Sequence, residues 1–234
     1  MDRQQSALRR PITSFAKVQS LVGSLLRNCR FQLRRRRVAE LRFLDLGCGR
    51  NVHEALVNMD FLWHPGIDLC WDVQKGLPFA NGSLRGIFTE HCLEHFDLAV
   101  VEGILAECRR VLEADGTLRI VVPDAELYLR TYQRHLTGDP GEPFPFQEQE
   151  SLQGDFTAML SVNRVFYQDR NSPYGHRTMF DFALLELLLR RAGFASAKRV
   201  RFREGREPVL LIDSEGRVVE SLYVEALAPG APAR

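Results

Sequence analysis

From residue 42 onward, short apolar runs alternate with amphipathic stretches, and the two periods predict different elements. Strands are expected at 42–46, 56–60 (Leu-Val-Asn-Met-Asp), 67–72, 86–90 (Gly-Ile-Phe-Thr-Glu) and 117–122 (Thr-Leu-Arg-Ile-Val-Val). Between the last two, Leu98, Val101, Leu105, Cys108 and Leu112 share one helical face while Glu102, Arg109 and Arg110 point away. Asp115-Gly116 then reads as the turn into the next strand. A Leu-rich helix at about 180–191 stops at Gly193. Strands near 197–203 and 219–227 follow, joined by a polar link through Glu204-Gly205 and Glu215-Gly216. Strands alternating with helices, then a terminal β pair, predict an α/β fold with a mostly parallel sheet and one antiparallel strand.

Upstream of residue 42 the pattern changes. After Pro11 and the candidate caps Thr13 and Ser14, apolar residues at Phe15, Val18, Val22, Leu25 and Cys29 keep the spacing of one helical face. Gly23 within that face costs about 1 kcal/mol relative to Ala. Arg27, Arg30 and the run Arg34 to Arg37 follow. Residues 1–42 hold eleven Lys or Arg against Asp2 and Glu40, a net of +9 in a chain of net +1, so the remainder carries −8. An acidic main body argues against nucleic acid lying across it. The basic segment, 1–40, is expected either to pack on the main domain with a solvated basic end or to lie on an anionic membrane surface or an acidic partner. The domain proper is 41–234. Within it 137–177 breaks the alternation: Pro140, Pro143 and Pro145 intersperse with Phe144 and Phe146, and a helix is expected from about 150 to 166. Tyr167, Tyr174, His176 and Arg177 close that insert, whose length suits a lid.

At 234 residues the chain can bury a sizeable core, and its 45% hydrophobic content is ordinary for a soluble globular protein. Five cysteines (Cys29, Cys48, Cys70, Cys92, Cys108) without a Cys-x-x-Cys pair read as reduced thiols, so a cytoplasmic protein is expected. No apolar run approaches the roughly 20 residues of a membrane span, and no signal-peptide core is expected because Arg9, Arg10 and Lys17 interrupt the N-terminus. Membrane contact would be peripheral, at the inner face, through the basic segment.

The candidate chemistry starts at Leu44 to Gly49, Leu-Asp-Leu-Gly-Cys-Gly, a buried strand ending in a turn where backbone must approach something closely. Such strand-to-glycine turns receive nucleotide-like ligands at the carboxyl edge of a sheet. A third glycine is missing, which disfavours a nicotinamide oxidoreductase. His91-Cys92-Leu93-Glu94-His95 matches a zinc-protease pattern. His91 falls at the end of a strand, however, and no third ligand is assigned, so no metal is expected. Asp124, after Pro123, can cap the next helix.

Taken in order, Leu-Asp-Leu-Gly-Cys-Gly, Asn58-Met59-Asp60, Asp72-Val73 with Leu77-Pro78-Phe79, Leu93-Glu94-His95, and Arg109-Arg110-Val111-Leu112 with Gly116 resemble the class I S-adenosylmethionine-dependent methyltransferases. The likeness is greatest to a small bacterial-type branch; it covers about 42–135 well and 176–227 more loosely. It implies a Rossmann-like, mostly parallel seven-stranded sheet flanked by helices, the last strand antiparallel, with S-adenosyl-L-methionine as cofactor. Gly47, Cys48 and Gly49 would lie along the methionine part, and Asp45 would orient its ammonium. Asp60 would accept the ribose hydroxyls, Asp72 would meet the adenine amine with Val73 beside the ring, and Glu90 and His91 would complete the cofactor edge. Asp68 competes with Asp60 for the ribose. Asp60 is favoured because Asp68 would leave no room for a third strand before Asp72. That choice makes the first crossover, 50–55, too short for a regular helix, and Arg50-Asn51 stand where a glycine is often found. His176, with His95 second, would serve the acceptor as base or orienting donor. The acceptor would be a small molecule or a lipid or glycan precursor. A non-catalytic binding or scaffolding module of the same fold is the alternative.

Overall fold

In the computed structural model, residues 14–139, 141, 143–147, 155–167 and 175–231 are described. Tyr174 and the start of the helix expected at 150–166 lie outside them. Seven strands form one sheet: β1 (Phe43–Leu46), β2 (Val57–Asp60), β3 (Leu69–Cys70), β4 (Leu84–Glu90), β5 (Leu112–Pro123), β6 (Ser196–Val200) and β7 (Ser221–Leu227). Their order is β3-β2-β1-β4-β5-β7-β6. β1 to β5 pair in parallel, and β7 runs antiparallel to both β5 and β6. The expected sheet is therefore present. The helices are α1 (Ser14–Leu26), α2 (Arg36–Glu40), α3 (Leu98–Val111), α4 (Ala125–Leu136), α5 (Ala158–Tyr167) and α6 (Phe182–Arg191).

The near-continuous apolar strands follow from burial on both faces. On one face Ile87, Ile120, Val122, Leu222 and Val224 join a core with Val101, Ile104, Leu105 and Cys108 of α3 and Leu185, Leu188 and Leu189 of α6. On the other, Phe88, Val121 and Tyr223 pack with Leu56 and Leu210, with Val209 and Ile212 alongside. This second cover comes from the 201–217 link, whose polar, turn-rich ends hide the short apolar run Val209–Ile212. The insert packs through a satellite cluster, Tyr128 of α4 with Phe144, Ala158 and Val165. α4 begins as the sequence suggested, with Asp124 Oδ1 accepting from the amides of Glu126 and Leu127.

Two expectations shift. Leu112 leaves the helical face and opens β5, because the strand runs back through a bulge in which Asp115 takes φ +60 and Leu84 and Gly86 pair with Leu112 and Thr117. The apolar spacing of α1 does not mark its buried face: Val18 and Leu25 are 53% and 72% exposed. The helix docks instead through Gly23 and Leu26, with Gln19 Nε2 donating to the Trp63 carbonyl at 3.3 Å. Downstream of α1, Asn28 N donates to Cys70 O at 3.1 Å and the buried Gln32 accepts from Cys70 N at 2.9 Å, closing the β3 edge.

The 201–217 link is tied down by Arg119 of β5, which is fully buried. Its guanidinium makes a two-pronged pair with Asp213 (2.7 and 2.5 Å) and donates to the Glu204 carbonyl at 2.8 Å and the Arg201 carbonyl at 3.1 Å. Glu225 of β7 stands 3.6 Å away. Removing one partner of a buried ion pair leaves an uncompensated charge, which costs about 3–5 kcal/mol. Asp213→Ala is therefore expected to destabilise the fold by about that much, read from the urea midpoint at unchanged slope.

Candidate cofactor and acceptor site

β1 and β4 lie side by side at the centre of the sheet, where the strand order turns, so the turns at their carboxyl ends meet. Gly47 and Gly49 take φ +79 and +54. The Gly47 and Cys48 amides both donate to the Met59 carbonyl of β2, at 2.9 and 3.1 Å. A side chain on Gly47 would run into Cys92, coming within 2.8 Å of its Cβ. Only glycine fits both the backbone angle and the space.

Around this contact open two cavities. The larger, about 500 Å³, runs from Phe61, Leu62, Trp71 and Val73 past Asp60 and Asp72 to His91, Cys92, His95, Phe96 and Arg177. The smaller, about 180 Å³, is lined by Asp45, Cys48, Glu90, Ser214 and Arg217. Gly47, Gly49 and His91 border both. All nine residues expected at the cofactor thus line one of the two spaces. A depression of about 570 Å³ along Lys198–Arg201 and Glu204–Arg206 holds none of them.

The two competing carboxylates are placed differently. Asp60 faces the larger cavity, its Oδ2 accepting from Gly49 N at 2.9 Å and its Oδ1 from Leu62 N at 2.7 Å. Asp68 is buried outside it, accepting from the backbone and side-chain nitrogens of Asn58 at 2.9 and 3.1 Å and pairing with Arg37 at 3.1 Å. Asp72 caps the short turn Val73–Lys75 by accepting from Gln74 N, and its own amide donates to Asn28 at 3.0 Å. The crossover 50–55 contains no helix. Asp45 is buried; its carboxyl is held well above the usual range, first by burial, then by the charges of Glu90 and Asp60. Glu90 itself accepts from the amide and the hydroxyl of Ser214.

His91 sits at φ +47 with its amide on the Val121 carbonyl at 2.8 Å and its Nε2 2.9 Å from Ser221 Oγ. Burial, then the charge of Arg217, pushes its pKa down to about 3, so the ring is neutral. Only Leu93–His95 form a turn of 3-10 helix, and His91 and His95 do not share the helical face that the zinc-protease pattern requires. Glu94 is 1% exposed, and burial pushes its pKa up to about 8. Its backbone carbonyl accepts from Arg177 N (2.7 Å) and Thr178 N (3.2 Å), which seats His176 against His95, ring centres 5.2 Å apart. His176 Nδ1 lies 2.7 Å from the Val165 carbonyl of α5. The structure thus brings His176 against His95, and of the two only His95 lines the larger cavity, His176 packing behind it. Ser214, Arg217 and the apolar end at Phe61, Leu62 and Trp71 were missed by sequence reading. No motif marks them, although the apolar run beside Ser214 could have shown that the link is packed.

Residues 64–120 match the family model described as a methyltransferase domain. The match spans about a quarter of the chain, and there it indicates a methyltransferase domain. The lining suits S-adenosylmethionine, the cofactor such a domain implies: apolar and aromatic groups stand at one end of the larger cavity, and the carboxylates of Asp45, Asp60 and Glu90 border the two spaces. A search of curated proteins finds no match. Among solved structures, one similar chain is a methyltransferase described as a possible histamine N-methyltransferase from Thermotoga maritima. It has 18% identity and a TM-score of 0.47, over 80% of this chain and 82% of that one. Another is YcgJ from Bacillus subtilis, with 13% identity and a TM-score of 0.46, over 92% of this chain and 99% of that one. Identities this low carry no shared substrate.

Asp60→Ala is expected to weaken S-adenosylhomocysteine binding by about 1–3 kcal/mol through lost acceptors, with little change in melting temperature. Asp68→Ala should do the reverse, since it strands Arg37 and the Asn58 amides. Calorimetry and a thermal melt on both variants separate the two.

Proposed function

We propose that the chain transfers the methyl group of S-adenosylmethionine to a small-molecule acceptor or a lipid or glycan precursor. One observation carries the reading: the glycine turn, Asp60, Asp72 and Val73 line the same cavity that His95 reaches from its other end. Methyl transfer from a sulfonium is a direct displacement, for which positioning supplies about 7–11 kcal/mol of barrier reduction, so no nucleophilic residue is required. His95 and Arg177, the latter paired with Asp97 at 3.1 Å, border the end of the cavity that we assign to the acceptor, and His176 backs the His95 ring.

An amphipathic acceptor agrees with the surface of the N-terminal segment. Val18, Leu21, Leu25 and Phe31 are exposed, and Arg30 and Arg34 to Arg37 are exposed among or after them. No helix among the described residues is long and apolar enough to cross a membrane, so contact with a bilayer would lie in its surface.

Labelled methyl transfer into extracted cellular material tests the activity without naming the acceptor. His176→Ala should cut transfer while leaving cofactor affinity within about twofold. Transfer at the parent rate would make His176 structural, and cofactor binding without any transfer would leave a binding module. Association with anionic vesicles should fall steeply with salt, because exposed charges are screened within about 10 Å at 0.1 M. Salt-independent association would remove the basic segment from the interaction.

A further inference from the structure

Beside His95, at the end of the cavity assigned to the acceptor, lies a donor set that simple positioning does not need. Glu94 is buried, and among the described residues neither of its carboxylate oxygens has a hydrogen-bond partner. The groups facing Oε1 are imidazoles, with His91 Nδ1 at 3.4 Å and His95 Nε2 at 4.0 Å. One ligand atom each from Glu94, His95 and His176 lie within 4.8 Å of one another. Because His176 Nδ1 sits 2.7 Å from the Val165 carbonyl, the proton belongs on that nitrogen and the lone pair on Nε2. A backbone carbonyl holding the far nitrogen is how metal-binding imidazoles are oriented. His91 fits the same scheme. With the Ser221 hydroxyl donating to Nε2, its proton sits on Nδ1, facing Glu94.

A carboxylate and two imidazoles converging in a buried place is a donor set for a first-row divalent cation. Without a cation, a buried carboxylate lacking hydrogen bonds is costly. This is not the arrangement that His-x-x-Glu-His spacing suggests, since His176 replaces His91 as the third ligand and comes from a segment some eighty residues away.

We propose that Glu94, His95 and His176 bind a divalent cation such as Zn²⁺ or Mn²⁺, which beside the cavity would hold the hydroxyl of an oxygen acceptor. This rests on reading the adjoining cavity as the S-adenosylmethionine site. A hydroxyl bound to the cation gives up its proton to water more readily. Its oxygen lone pair then forms the new O–CH₃ bond while the S–CH₃ bond breaks. The bonding pair stays on sulfur, which becomes the neutral thioether of S-adenosylhomocysteine. His176 acts on the acceptor through the cation rather than as a base.

The test uses the full chain free of affinity-tag histidines, stripped with chelator and titrated with Zn²⁺ and with Mn²⁺. One equivalent should bind, and the Mn²⁺-loaded chain should show nitrogen coupling from imidazole in pulsed paramagnetic resonance. His176→Ala and Glu94→Gln should each lose at least about tenfold in affinity. His135→Ala, outside the cluster, should change nothing. Absence of stoichiometric binding, or binding indifferent to His176→Ala, overturns the site. If the Glu94 variant fails to fold, nitrogen coupling in the native chain decides, and its absence overturns the site. S-adenosylhomocysteine calorimetry runs beside these. Cofactor binding without cation binding rejects the cation site alone, whereas absent cofactor binding rejects the methyltransferase reading while the titration still decides the site.

Discussion

The close approach of Gly47 to Cys92 is the constraint from which the site follows. Two turns, one after β1 and one after β4, can touch only because the first has no side chain at its nearest point. That contact separates the larger cavity from the smaller, so the same backbone borders both spaces. Sheet order supplies the rest. With β1 and β4 adjacent and β2 and β5 outside them, Asp45, Asp60 and Glu90 end up on one edge without any long side chain having to reach. Their mutual repulsion is visible in Asp45, whose proton is held by burial and by its two acidic neighbours. A cationic ligand relieves that arrangement, and S-adenosylmethionine is cationic at sulfur and at its ammonium.

Much of this was legible in the sequence because the strands are short, apolar and bounded by glycines and carboxylates. The seven strands, the two long packing helices and the Asp124 cap follow from local pattern alone. That the nine residues expected at the cofactor would line two adjoining cavities was legible only through the order of motifs, since each pattern singly is weak. What local pattern could not give was long-range placement. The face of α1 was misjudged because the helix packs through a glycine and a polar Gln19, leaving its best apolar stripe outside. The 201–217 link hid its role because the apolar run that packs, Val209–Ile212 around the buried Leu210, is short within an otherwise polar stretch. Arg119 read as an ordinary strand residue, yet it holds that link from beneath.

The meeting of Glu94, His95 and His176 lay further out of reach. Glu94 and His95 sit in a motif that also suggests a zinc helix, and the backbone decides otherwise: His91 at positive φ breaks the helical phase that would have aligned it with His95. His176 arrives because the Glu94 carbonyl accepts two amides from the 175–178 segment, a pairing with no signature in side-chain pattern.

Three segments outside the strand–helix alternation therefore shape the site, each at a different end. The N-terminal segment holds Asp72 through Asn28 and stacks the Arg27 guanidinium 3.7 Å over the Phe61 ring, beside the apolar end of the cavity. The 201–217 link delivers Ser214 to Glu90, and Arg217 follows at its end. The insert and the 175–178 segment deliver His176 and Arg177 to the acceptor end. The sheet contributes the glycine turn and the carboxylates, which on the proposed reading would recognise what is common to every S-adenosylmethionine molecule. On the same reading, groups that would select an acceptor belong to segments outside the strand–helix alternation, packed through small apolar clusters of their own. Such segments can change their sequence without disturbing the strands, which is why fold and cofactor are easier to read from this chain than the molecule it methylates.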